Sequence, residues 1–289
     1  MTDQPRPALF DARRCTLGEG PLWHPGRGQL FWFDIITRKL MTLEDGAARD
    51  WDFPGPVSAA GWLGRDSLLI ASDTALLRFD LNSGTSEDIL PLEAENPITR
   101  SNDGRADPWG GFWIGTMGKA LEPEAGAIYR YFRGELRRIY GKITIPNAIC
   151  FSPDGSWLYF TDTPKQQIWR QALRDADGWP AAREPELFLD LRAEGLNPDG
   201  AVADSEGGLW NAQWGASRVA RYLPDGRFDR AVPFAASQIS CPAFGGAGLA
   251  TLFVTSATEG LAEGAEAAAG QTFAADAGIR GQAEHQVIL

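Results

Sequence analysis

Histidine is nearly absent: the 289 residues contain two, His24 and His285. A multi-histidine metal centre is thereby excluded, and the side chain that most often serves as a general base is scarce. Cysteine is scarce as well. Cys15, Cys150 and Cys241 are an odd number with no Cys-x-x-Cys spacing. This predicts free thiols in a reducing compartment, the cytoplasm, and excludes a disulfide framework or a thiolate zinc cluster. No run of about 18 apolar residues exists, so no membrane span is expected. Residues 1–10 lack the apolar stretch of a signal peptide. Basic residues are outnumbered, 27 Lys and Arg against 38 Asp and Glu, for a net charge of −11. A phosphate backbone needs a basic face, so nucleic acid is not an expected partner. No segment points to an obligate protein partner either.

Glycine, proline and large aromatics are plentiful. The 33 Gly and 19 Pro, with 11 Trp and 15 Phe, suit short strands joined by tight turns. A short apolar segment recurs at residues 30–34 (LFWFD), 68–72 (LLIAS), 112–116 (FWIGT), 158–162 (LYFTD), 209–213 (LWNAQ) and 252–256 (LFVTS). Its starts are 38, 44, 46, 51 and 43 residues apart, which makes six modules of about 45 residues. Ahead of each lies a second strand-like run (PLWH, AAGWL, GRAD, AICFS, AVAD, PAFGG), usually with a Gly-, Pro- or Asp-rich turn between the two. That pattern reads as a β-hairpin. Further strands follow, as at residues 127–132 (AIYRYF) and 167–172 (QIWRQA).

About four strands per module at this period predict an all-β fold, a six-bladed β-propeller forming a single domain over residues 1–289. The first strand of each blade would line a central channel. A β-sandwich would match this spacing only by coincidence. A closed ring must join its ends, so a strand near residues 8–14 is expected to complete the last blade. Residues 262–269 (AEGAEAAA), the best helical stretch, read as a loop insertion in that blade.

The repeat also aligns polar residues. His24, Asp107, Ser152 and Asp204 enter the first hairpin turn of modules one, three, four and five, where such side chains bond the turn backbone. Five residues before each stand Glu19, Asn102, Asn147 and Asp199, with Ser58 and Ser240 close to the same register in modules two and six. These positions converge on one mouth of the channel. Two carboxylates and two carboxamides meeting there would suit a hard or borderline divalent cation. Ordinary turn residues are the alternative, because Asn102-Asp103-Gly104 and Pro198-Asp199-Gly200 have turn composition. Arg100 would reach the same mouth or make a surface ion pair, and Trp214 would pack on a ligand or within a blade. Cys150 and Cys241 read as buried structural thiols.

The segments Leu17-Gly18-Glu19-Gly20-Pro21-Leu22-Trp23, Arg100-Ser101-Asn102-Asp103-Gly104, Gly115-Thr116-Met117, Pro146-Asn147, Pro198-Asp199-Gly200 and Phe244-Gly245-Gly246 occur in this order. Together they resemble the senescence marker protein/regucalcin/gluconolactonase family of six-bladed propellers, over about residues 9–289. The resemblance implies a metal-dependent sugar lactonase. It implies that Glu19, Asn147 and Asp199 bind one divalent cation, with calcium, zinc, manganese, magnesium and ferrous iron all compatible. Asn102 and Arg100 are implied as substrate contacts. One departure stands out: members of the family can carry a substrate-contacting acid shortly after Gly-Thr-Met, where this chain has Gly118-Lys119-Ala120. Either Glu122 or Glu124 is then expected to replace it, or the pocket is expected to suit a different sugar acid.

The expected reaction is hydrolysis of an aldonolactone to its open-chain sugar acid, with Asp199 as general base. The loop at residues 117–126 is expected to cover part of the substrate. Two alternatives are an arylesterase or organophosphatase on the same scaffold and a non-catalytic calcium-binding propeller.

Overall fold

Residues 7–289 are described by a computed structural model of the chain. Strand β1 (Ala8–Asp11) leaves its sequence neighbours and waits for the end of the chain. Blade one is β2 (Gly18–His24), β3 (Gln29–Asp34), β4 (Lys39–Glu44) and β5 (Ala47–Asp52). Blade two is β6 (Val57–Gly64), β7 (Ser67–Ser72), β8 (Ala75–Asp80) and β9 (Ser86–Pro91). Blade three is β10 (Thr99–Ala106), β11 (Phe112–Gly118), β12 (Gly126–Phe132) and β13 (Glu135–Ile143). Blade four is β14 (Pro146–Phe151), β15 (Trp157–Asp162), β16 (Gln167–Ala172) and β17 (Glu186–Asp190). Blade five is β18 (Asn197–Ala203), β19 (Leu209–Trp214), β20 (Arg218–Tyr222) and β21 (Phe228–Pro233). Blade six is β22 (Ile239–Gly245), β23 (Thr251–Ser256) and β24 (Thr272–Asp276), and β1 pairs antiparallel with β24 as its outermost strand.

This is the predicted six-bladed β-propeller, closed by the predicted N-terminal strand. Each recurring apolar segment is the second strand of a blade, and residues 262–269 lie in the β23–β24 loop. The innermost strands pack in ring order: β2 on β6, β6 on β10, β10 on β14, β14 on β18, β18 on β22, and β22 back on β2. No helix among the described residues is long and apolar enough to cross a membrane.

The core lies between blades. The faces of β3 and β7 meet through Phe31, Phe33, Leu68 and Ile70, and those of β19 and β23 through Trp210, Leu252 and Val254. Second strands are buried on both faces, so they read as continuous apolar runs and not as alternating ones.

Two hairpins are locked in the same way. Asp107 accepts hydrogen bonds from Trp109 N, Gly111 N, Trp113 Nε1 (2.9 Å each) and Arg130 Nε (2.6 Å). Asp204 accepts from Glu206 N, Gly208 N (2.9 Å each), Trp210 Nε1 (2.8 Å) and Arg221 Nε (2.6 Å). Ser152 serves its turn through Trp157 N, 2.9 Å from its hydroxyl. His24 departs from the expected role: its side chain does not bond its own turn. Its Nε2 lies 2.9 Å from Gly64 O of the next blade, and its ring packs near Trp62.

The channel end opposite the mouth is filled by the C-terminal tail. Gly281 bridges to Asp204 and Gln286 to Trp62. Between them Glu284 enters the channel and pairs with the buried Arg105. The three cysteines are free and buried, as expected.

Candidate active site at the channel mouth

Every innermost strand carries a register shift near its mouth end. It falls between Glu19 and Leu22, Val57 and Ala59, Ser101 and Gly104, Asn147 and Cys150, Pro198 and Ala201, and Ile239 and Pro242. A β-bulge of this kind breaks the alternation of side chains and re-aims one of them. Gly20 shows why the sequence permits it. Its φ is +55°, and a Cβ there would sit 2.2 Å from the Ser58 carbonyl oxygen. Gly200 lies so close to Cys241 that a Cβ would meet the sulfur at 2.3 Å.

The bulges bring the four predicted residues together. One cavity of about 180 Å³ is lined by Glu19, Arg100, Asn102, Asn147 and Asp199, with Thr163, Glu259, Leu17, Met117, Leu121, Ile145 and Trp214 completing the wall. They flank the bulges in two ways. Glu19 and Asn147 are the last paired residues before their bulges, whereas Asn102 and Asp199 are the first residues inside theirs. Ser58 and Ser240 are not in the wall. They bond Ser101 Oγ (2.8 Å) and Gly18 O (2.5 Å) and join neighbouring innermost strands.

The carboxamides form a chain. Arg100 Nη1 donates to Asn102 Oδ1 (2.8 Å) and to Ser101 O (2.9 Å). Asn102 Nδ2 donates to Asn147 Oδ1 (3.0 Å) and to Pro146 O (3.0 Å). Asn147 Nδ2 donates to Thr163 Oγ1 (2.9 Å), whose hydroxyl donates to Pro198 O (2.8 Å). Arg100 is buried at this mouth, so the alternative of a surface ion pair does not hold.

The carboxylates are unlike the carboxamides in having no such partners. Glu19 accepts only Gly20 N, at 3.1 Å. Neither Glu19 nor Asp199 pairs with a cationic side chain among the described residues, although both are buried. Burial therefore pushes the Glu19 carboxyl up to about 8, with Asp103 repelling its charge. Asp199 is raised by the same burial and by the charge of Glu19. Asp103, beneath them, is pushed up to about 6 by burial, although Ile149 N donates to it at 2.7 Å.

Among the described residues no three His, Cys, Asp or Glu side chains gather in a cluster able to hold a metal ion. A cation here would need amide oxygens too, and Asn147 Oδ1 supplies one beside the two carboxylates. Buried carboxylates without a counter-charge are costly, so this donor set fits a divalent cation.

The two histidines are separated from this mouth. His24 and the tail around His285 belong to the opposite end. The Cys15 thiol is pushed up to about 12, and those of Cys150 and Cys241 are raised as well, all chiefly by burial. None suits a nucleophile. Neither Glu122 nor Glu124 lines the cavity: Glu122 accepts Ala120 N at 3.0 Å, and Glu124 borders a surface groove beside Tyr129. From that loop Met117 and Leu121 reach the cavity instead. Trp214 ends β19, lines the cavity and also packs against the core between blades one and two. Glu259, which the repeat did not reveal, stands in the loop after β23 and is the third carboxylate of the wall.

A six-bladed propeller with buried, unpaired oxygen donors at one mouth defines the class: a propeller with a polar site at the channel end. Comparison with known proteins narrows the class. Residues 17–258 match the SMP-30/gluconolactonase/LRE-like region. The chain is 44% identical to a candidate sugar lactone lactonase of Rhizobium meliloti (strain 1021) over 273 residues, covering 93% of this chain and 92% of the other. It is 38% identical to the L-arabinolactonase of Azospirillum brasilense, covering 89% and 86%. The crystal structure of regucalcin, a calcium-binding protein from Agrobacterium tumefaciens str. C58, superposes with a TM-score of 0.94 at 37% identity, covering 99% and 97%. The chain belongs to the SMP-30/gluconolactonase/LRE-like family and is a lactone-hydrolysing enzyme of the carboxylic ester hydrolase class.

Proposed function

We propose that the protein hydrolyses a sugar-acid lactone, an aldonolactone such as glucono-, galactono-, xylono- or arabinonolactone, to the open-chain sugar acid. One divalent cation, held by Glu19, Asn147 and Asp199, would serve the reaction. The observation that carries this reading is the pair of buried, unpaired carboxylates facing an amide-lined cavity. When bound, such a cation polarises a carbonyl and acidifies water. The chain's own residues do the rest. Asp199 accepts the proton of the attacking water as it adds to the lactone carbonyl. Arg100 donates to ring hydroxyls and to the charge that develops on oxygen, and Asn102, whose two amide hydrogens are held by Asn147 and Pro146, offers its oxygen to a ring hydroxyl. Asn147 is oriented by Asn102 and Thr163, so its oxygen is fixed before substrate arrives. Trp214, Met117 and Leu121 offer an apolar surface to the face of a sugar ring and exclude water from the reacting ester.

The deciding experiment is a panel of sugar lactones assayed after chelation and again after single metals are restored. Hydrolysis lost on chelation and regained with a divalent cation supports the reading. Tight metal binding without hydrolysis of any lactone would favour the calcium-binding propeller. The apolar wall keeps one more reading in view, so an aryl ester belongs in the same panel. A higher kcat/KM for the aryl ester would move the assignment to an arylesterase.

A further inference from the structure

The cavity wall holds one charged group that neither the donor set nor the reaction employs. Glu259 is exposed, sits in the β23–β24 loop, and lines the same cavity as Arg100. Blade order fixes their relation. Arg100 belongs to blade three and Glu259 to blade six, so three steps round the ring separate them in either direction. They stand on opposite walls. The loop is anchored: Glu259 N donates to Thr16 O at 2.9 Å, and Thr16 N donates to Asp34 Oδ2 at 2.8 Å. Arg100 keeps donors for a ligand, since only its Nη1 is bonded to protein among the described residues.

We infer that Glu259 is a specificity-determining residue of this mouth: it accepts a hydroxyl from the far side of a neutral polyhydroxylated lactone and disfavours lactones bearing an anionic substituent. The inference rests on the lactonase reading above. An ionised carboxylate is an acceptor only, so it rewards a ligand hydroxyl and penalises a sulfonate, phosphate or second carboxylate at the same place. The formal balance agrees. Glu19, Asp199 and Glu259 line the cavity with three formal negative charges against one divalent cation and Arg100, and Asp103 lies beneath them. A neutral substrate adds no charge to this mouth, and an anionic one adds an uncompensated negative charge in a partly desolvated cavity. The nearby field of Glu259 on Arg100, which opposes the loss of its proton through burial, is consistent with the two facing each other.

The test compares kcat/KM for a neutral pentono- or hexonolactone with that for a lactone carrying a terminal sulfonate or carboxylate. It uses the metal-loaded full-length protein and its Glu259→Gln and Glu259→Lys variants. Wild type should favour the neutral lactone. Glu259→Gln should lower that preference roughly tenfold, mainly through KM for the neutral substrate, and Glu259→Lys should lower it further. The discrimination in wild type should shrink at high salt, which a merely structural role would not produce. Because Glu259 is exposed, both variants should keep the wild-type melting temperature and metal-induced shift. An unchanged preference in both variants, or a wild type that favours the anionic lactone, would overturn the inference and leave the lactonase reading intact. A wild type inactive on both lactones with every metal would overturn both.

Discussion

Asp199 has an acid's burial and no counter-charge, and that single fact makes it the most informative residue to change. Asp199→Ala should lower kcat by about 10²- to 10⁴-fold with the fold intact, checked by steady-state kinetics beside circular dichroism. Adding a divalent cation to chelated protein should raise Tm by several degrees through mass action, and Glu19→Gln should abolish most of that rise in a thermal scan. His24 gives a pH dependence of definite sign. Burial holds its pKa below the ordinary 6.5, its Nδ1 has no partner, and its Nε2 meets a carbonyl. The neutral ring is therefore the folded form. Its contribution is present above pH 6.5 and is lost as pH falls from there through the lowered folded value. Denaturant midpoints measured from pH 7 to pH 5 should fall, and His24→Gln should flatten the fall. At this scale much of the site was legible. Glu19, Asn102, Asn147 and Asp199 share a register with the repeat, so counting found them. Glu259 lies in a loop peculiar to the last module, where no repeat position exists to count from, and only the folded cavity reveals it.

Blades depend on a few buried polar clasps as much as on apolar area. Asp204 satisfies two backbone amides, an indole and a guanidinium at once. Asp204→Ala would leave Trp210 Nε1 and two turn amides without their acceptor, while Arg221 keeps Glu206 and Asp229, with an expected loss of about 1–3 kcal/mol in urea unfolding. Asp204→Asn should recover part of it, because the amide oxygen can still accept. Since Asp204 sits at the far end of β18 from Asp199, the folded fraction should retain its kcat. Hairpins and second strands were readable as turn residues between apolar runs. The bulges were not. A slip in a ladder has no compositional mark beyond an occasional glycine such as Gly20, so even spacing located the four residues without showing the bulges that turn them inward.

Around the whole ring, the repeat of about 45 residues announced six blades, and closure by an N-terminal strand followed from geometry. The tail's role did not follow, because residues 280–289 lie outside any repeat and form no strand that a pattern would mark. In the structure they seal the channel floor. Removing residues 282–289 strips Arg105 of Glu284 and leaves a buried cation alone. The truncated protein should lose about 3–5 kcal/mol or fail to accumulate in folded form, as read by differential scanning calorimetry.

The pairing of β1 with β24 also has a meaning in time. Ala8 rests against Ala274, so a strand made ahead of blade one finds its partner only once blade six has been made. Until then β1 is an unpaired edge, the kind of strand that joins the wrong neighbour. Five blades can assemble in order as they emerge, each from local hairpins. The sixth is a long-range closure, and its loop entropy is met last. Refolding of the intact chain should accordingly end in a slow step that belongs to the clasp.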